Sequence, residues 1–324
     1  MTGNQAMGFQ EAGALLARVE AEVSKVVIGQ ARAVREAILT AIAGGHAILE
    51  GVPGTAKTLL VRVLAKALGC GFARIQFTPD LMPADITGVG IPEGASGGFA
   101  FRKGPIFTDL LLADEINRAP AKTQAALLEA MQERQVTSDG VRHAIGDLFT
   151  VFATQNPVEF EGTYRLPEAE LDRFLLKIEV GYPEPADEER ILDLHRRGFD
   201  ADREATFGVQ AATDAAGVRA AREAARRVRV EDRLLAYIRE IVAATRRAAS
   251  VSLGASPRAS VALLRAAQAR ALLEGRDFVV PDDVKGLARP ALRHRLVLHP
   301  EFEIEGAKPD DVIGEILDRT EVPK

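Results

Sequence analysis

Residues 46–68, HAILEGVPGTAKTLLVRVLAKAL, constrain the fold of this chain more than any other segment. HAILEG, His46 to Gly51, is a short apolar run closed by glycine and reads as a buried strand. Thr58 to Leu68 has the apolar spacing of a helix. Between them, GVPGTAKT forms a glycine-containing loop at a helix start, the context in which main-chain amides cradle a polyphosphate. The residues read as contacting such a ligand are Gly51, Val52, Pro53, Gly54, Thr55, Ala56, Lys57, Thr58 and Leu59. Lys57 adds a point charge at the outer phosphates, and the Thr58 hydroxyl is a ligand for Mg²⁺. Ala56 stands where the strict pattern has a second glycine; it fits if the backbone there avoids positive φ.

The strands that follow carry the acids such a site needs. DLLLAD, Asp109 to Asp114, is a strongly apolar run ending in acid and reads as a central parallel strand buried on both faces. Asp114 at its tip can hold Mg²⁺ through the water shell, and Glu115 can polarise an attacking water. RIQF, Arg74 to Phe77, and FTVFATQNP, 149–157, read as further strands, the second placing the Asn156 amide at the same sheet edge, where it can orient that water. Helices are expected over Phe9–Val26, Ala31–Ala43 and Pro120–Glu133. Strands alternating with helices predict an α/β fold with a doubly wound parallel sheet.

Two segments interrupt the alternation. Residues 78–105 are rich in Gly and Pro and contain FAFRKG, which suggests a hairpin, and QVTSDGVRHAI reads as a second hairpin turning at Asp139-Gly140. GYPEPADEER, 181–190, is the best boundary. It divides an α/β domain, 1–185, from an all-helical lid, 186–324. The Arg run Arg222, Arg226, Arg227 and Arg229 reads as the solvated face of a lid helix.

Composition narrows the function. With 41 Lys+Arg against 46 Asp+Glu, the net charge of −5 is unlike that of strongly basic nucleic-acid binders. One cysteine, Cys70, excludes an internal disulfide and a Cys-based metal site, and a small apolar role is expected for it. The five histidines fit no metal-ligand spacing and are read as structural or solvated. No apolar run is long enough to span a bilayer, and no leader pattern opens the chain, so a cytoplasmic location is expected.

In order, VIGQ, GVPGTAKT, LLLADEINRAP, TQNP, EGTYRLPEAELDRF and GASPRAS resemble the MoxR family of AAA+ ATPases, of the helix-2-insert clade, from about Val27 to beyond Arg258. The resemblance implies an ATP-hydrolysing ring with a helical lid. Val27, Ile28 and Gly29 would lie beside the adenine, Asn156 would be the sensor 1 residue, Arg173 the arginine finger and Arg258 the sensor 2 residue. The family's hexamers hold each site between neighbours, so Arg173 would act on ATP held next door. Residues 84–104 resemble the helix-2 insert and 136–145 the pre-sensor-1 hairpin. Such inserts face a central pore, which makes Phe99, Phe101, Arg102 and Lys103 candidates for substrate contact or simply for hairpin packing. Arg165 departs from the family's usual proline. Family members remodel or activate proteins in a chaperone-like way, with von Willebrand factor A domain partners.

Four other readings compete. A nucleic-acid motor shares both inserts, but the tip Ser138-Asp139-Gly140 lacks the basic residues that would meet phosphates. A switch GTPase would need an Asn-Lys-x-Asp segment, which the sequence lacks. A binding-only protein would not need Lys57, Thr58, Asp114, Glu115 and Asn156 together. A magnesium-chelatase ATPase subunit is the near neighbour.

Overall fold

The computed structural model describes residues 6–93, 98–138, 140–155 and 164–323. Helices α1 (Phe9–Val23) and α2 (Ala31–Ala43) lead into β1 (Ala47–Glu50), and α3 (Lys57–Ala67) returns to β2 (Phe72–Gln76). A short α4 (Pro83–Thr87) precedes a ribbon of β3 (Gly88–Glu93) and β4 (Gly98–Lys103). Then come β5 (Leu110–Asp114), α5 (Ala121–Glu133), a second ribbon of β6 (Gln135–Ser138) and β7 (Val141–Ala144), β8 (Thr150–Gln155), α6 (Glu168–Leu171) and β9 (Leu176–Glu179). The remainder comprises α7 (Pro185–Arg196), α8 (Ala215–Arg227), α9 (Asp232–Thr245), β10 (Val251–Leu253), α10 (Pro257–Leu273), α11 (Pro281–Leu292), β11 (Val297–Leu298), α12 (Pro300–Ile304) and α13 (Pro309–Arg319).

Five strands form a parallel sheet in the order β2-β5-β8-β1-β9. Side chains alternate between faces along each strand. Leu49, Leu110, Leu112 and Phe152 therefore enter one apolar cluster with α1, α2 and α3, while Ile48, Leu111, Ala113, Val151 and Ala153 enter a second with α5. That two-sided burial makes the sheet doubly wound, as the apolar runs predict. Strand β9 was not anticipated; its Leu176 and Ile178 are buried while Lys177 and Glu179 alternate with them. Helix α1 stops at Val23, short of the expected Val26.

From Pro185 onward the described residues are helical apart from β10 and β11, which pair antiparallel, so the lid is not wholly helical as expected. The lid has no core of its own. Leu263, Leu272, Leu287 and Ile313 share one cluster with Leu16 and Ile38 of α1 and α2. The approach is close: a Cβ on Gly13 of α1 would meet the Gly275 Cα at 2.7 Å. Arg222 corrects the reading of a solvated Arg run. It is buried, and its guanidinium donates to the carbonyls of Ala41 (2.8 Å), Asp147 (2.8 Å) and Leu148 (3.1 Å) and to Thr150 Oγ1 (2.8 Å). Burial, and then nearby Arg134, pull its pKa down to about 10. Arg226, Arg227 and Arg229 stay exposed as expected. No helix among the described residues is long and apolar enough to cross a membrane.

Candidate nucleotide site

The loop GVPGTAKT leaves β1 and enters α3 at the edge of the sheet where β5 and β8 also end. This is the edge at which parallel α/β sheets take ligands. A cavity of 510 Å³ opens there, lined by Pro53 to Leu59 from the loop and the start of α3, Asp114 at the end of β5 and Glu115 just after it, and Thr154 and Gln155 from β8. Lys57 Nζ folds back to donate to the carbonyls of Gly51 and Val52, each at 2.7 Å. Burial pulls its pKa below the ordinary lysine value, against the opposing fields of Asp114 and Glu115. Gly51 and Val52 thus serve the site through their carbonyls and do not line the cavity.

Ala56 overturns the condition placed on it. Its φ is 63°, in the left-handed region, so alanine takes the conformation for which glycine is the usual residue. Glu115 is also left-handed, at φ 55°. Two strained non-glycine residues thus flank the cavity, a pattern found at functional sites.

The acids are held by partners that sequence reading missed. Thr154 Oγ1 donates to Asp114 Oδ1 at 2.6 Å and accepts the Glu115 N–H at 2.8 Å, bridging the two acids. Arg74 donates to Asp114 Oδ2 through Nη2 (2.6 Å) and Nε (3.1 Å). The Glu115 carboxylate accepts from Gln76 Nε2 (2.8 Å) and Arg118 Nη1 (3.0 Å). The parallel register sets Gln76 beside Asp114, which brings Arg74 and Gln76 on β2 to the acids of β5. Two carboxylates, the Thr58 hydroxyl and an ammonium around one cavity fit a magnesium–polyphosphate ligand.

The apolar end of the cavity comes from Val26, Ile28, Ile191, Leu194 and Phe199, with His195 packed edge-on to Phe199 at 5.1 Å. Of the three residues expected beside the base, only Ile28 lines the cavity. Val27 is buried in the core, and Gly29 makes a turn at φ 73° against Pro183. The contribution of α7 was missed because Ile191 and Leu194 read as ordinary helix spacing. Gln30 Nε2 donates to the Gly181 carbonyl (2.8 Å), tying the start of α2 to the chain leaving β9.

Arg173 and Arg258 do not line this cavity. They meet in a second cleft of 420 Å³ with Arg134, Asp172, Arg265 and Arg295. Arg258 is 62% exposed, with Nη1 4.0 Å from Asp172 Oδ2. Arg173 Nη1 donates to the Leu128 carbonyl (3.1 Å), while its Nε is buried with no partner among the described residues. Helix α10 packs on α1, α2 and α8, which holds its N-terminus beside the Arg173 segment. Asn156 lies outside the described residues.

The two ribbons touch each other. Phe101 stacks on His143 at 3.8 Å between ring centroids and packs edge-on to Phe107 at 5.7 Å. Arg102 and Lys103 are exposed, Lys103 lying over the Phe107 ring at 5.2 Å. The side chain of Phe99 lies outside the described residues.

Residues 46–176 match the ATPase family associated with various cellular activities (AAA), and residues 243–316 match the AAA lid domain. The uncharacterized protein YeaC of Bacillus subtilis is 46% identical over 318 residues, covering 98% of both chains. Chaperone MoxR1 of Mycobacterium tuberculosis is 42% identical over 95% of this chain and 82% of its own. The crystal structure of a candidate ATPase from Cytophaga hutchinsonii superposes with a TM-score of 0.88 at 40% identity, covering 97% of this chain and 96% of that one. The cavity, the acids at the tip of β5 and these relatives agree: the chain belongs to the MoxR family of AAA+ ATPases.

Proposed function

We propose that the protein is a ring-forming ATPase whose sites are completed between neighbouring subunits, and that its cycle drives chaperone-like remodelling or activation of partner proteins. The observation that carries this reading is the separation of Arg173 and Arg258, which share one cleft, from the subunit's own phosphate loop. Two cations built to grip phosphate oxygens but turned away from the resident loop suit the site of another copy.

ATP with Mg²⁺ supplies the phosphoryl group and the cation that neutralises its charge. Lys57 exchanges the Gly51 and Val52 carbonyls for the outer phosphates. Thr58 and Asp114 would hold the metal, Asp114 being oriented by Thr154. Glu115, released from Gln76 and Arg118, polarises the attacking water, with Asn156 as its second orienting group. Arg173 and Arg258 of the adjacent subunit stabilise the charge that develops in transfer, the part of the reaction in which such groups act most strongly. The assembly is a hexamer working in the cytoplasm with a von Willebrand factor A domain partner. Residues 1–185 serve as its motor unit, with 186–324 as the lid.

Mixed rings test the shared site. Lys57→Ala abolishes nucleotide binding, and Glu115→Gln binds ATP without turnover. Arg173→Ala binds ATP normally and hydrolyses it about 10³-fold slower. Mixing Lys57→Ala with Arg173→Ala subunits restores turnover, because each supplies what the other lacks. Assembled mixed rings without restored activity would overturn the reading.

A further inference from the structure

Asp172, the residue before Arg173, stands where the loop after α6 meets the lid. Its two carboxylate oxygens have different partners, both from the lid. Arg295 Nε donates to Oδ1 at 2.8 Å, and Ser256 Oγ donates to Oδ2 at 2.7 Å. Ser256 is also the N-cap of α10, its Oγ accepting the Arg258 N–H at 3.1 Å. Two hydrogen bonds therefore run from the backbone of Arg258, through one hydroxyl, to the residue adjoining Arg173.

Arg295 secures the other side of Arg173. Its side chain is 2% exposed, and it donates to the carbonyls of Asp172 (3.0 Å), Phe174 (2.6 Å) and Leu175 (3.4 Å). His294 Nε2 lies 3.0 Å from the same Phe174 carbonyl. The main chain is thus pinned on both sides of Arg173, while among the described residues the Arg173 guanidinium keeps a single hydrogen bond, to Leu128. A buried ion pair is a weak source of net stability, since desolvation offsets most of its attraction. Holding a backbone in place is a different task, and one for which a planar guanidinium with several carbonyl acceptors is well shaped.

We propose that Asp172, Arg295 and Ser256 are positioning residues that join Arg173 and Arg258 into one rigid pair, so that both reach a neighbour's nucleotide in a fixed mutual geometry. The inference rests on the shared-site reading above. Misplacing a charge-stabilising group by about 1 Å costs up to ~100-fold in rate, so the link acts on turnover and leaves the subunit's own nucleotide affinity alone.

The test uses assembled full-length protein. Asp172→Asn removes the charge facing Arg295, and Ser256→Ala cuts the other end of the link. Each lowers kcat by about tenfold or more, with ATP affinity unchanged within about twofold. Ser256→Thr, which keeps a hydroxyl, retains the rate. Mixing either slow variant with Lys57→Ala subunits, whose arginines are intact, restores turnover. Adding Asp172→Asn to Arg173→Ala lowers the rate by no more than about twofold further, as expected of residues acting through one group. If Asp172→Asn destabilises the fold, Ser256→Ala carries the test, since Ser256 is partly exposed and loses only a helix cap. Wild-type kcat in both variants, or a loss that Lys57→Ala subunits do not repair, overturns the proposal. Failure of the Arg173→Ala and Lys57→Ala mixture instead removes the shared site on which it stands.

Discussion

At Ala56 the backbone is held left-handed, where a Cβ costs roughly 1–2 kcal/mol relative to glycine. Ala56→Gly should raise stability by about 1 kcal/mol without weakening nucleotide binding; a lower thermal midpoint would show that the loop does not hold this conformation. His46 gives a pH effect of known sign. It is buried, and its Nδ1 accepts the Val151 N–H at 2.9 Å. Burial, reinforced by Arg134, lowers its pKa from 6.5 to about 3. The unfolded chain therefore takes up a proton that the folded chain refuses, and stability falls as pH drops from 6.5 toward 3. Denaturant midpoints at pH 7.5 and 5.5 should show this drop, and His46→Gln should flatten it. Lys57, Thr58 and Asp114 were legible because a phosphate loop and an apolar strand ending in acid are local patterns. Arg74, Gln76 and Thr154 were not, since what they touch depends on the register of neighbouring strands, which no local spacing encodes.

Helix α8 shows where element-level reading stops. Its helical spacing was legible, but which face it buries was not. Arginines at helical spacing look solvated until a second element covers one of them, and Arg222 is covered by α2 and the start of β8. Removing its guanidinium deletes four charge-assisted hydrogen bonds, to three carbonyls and a hydroxyl, and empties buried space, so Arg222→Ala should cost about 3 kcal/mol in denaturant unfolding. Arg226→Ala, on the exposed face, should change stability by less than about 0.5 kcal/mol. Equal effects would mean that α8 does not dock in this way. Strand β9 escaped notice for a related reason. Leu176 and Ile178 alternate with charged residues directly after a helical turn, and its pairing to β1 is settled only by the finished sheet.

Across the whole molecule, the two parts named from the sequence share one apolar interior from α1 to α13. Heat should therefore unfold the chain in a single calorimetric transition with equal van't Hoff and calorimetric enthalpies. Two resolved transitions would indicate that the lid melts on its own. A division near residue 185 was read from prolines and acids; that α7 would line the phosphate-loop cavity while the start of α10 meets the Arg173 segment depends on contacts far apart in sequence, such as Ser256 to Asp172 across 84 residues. The Arg74–Asp114 pair has a consequence for the order of events. In the resting chain this carboxylate already has a resident cation in the guanidinium, so a bare divalent ion must evict it from a largely buried partner. A metal escorted by a triphosphate would meet Lys57 and the loop amides at the same moment and would displace the guanidinium with their help. On the proposed reading, metal and nucleotide should then arrive as one complex, and free magnesium alone should leave Asp114 with Arg74.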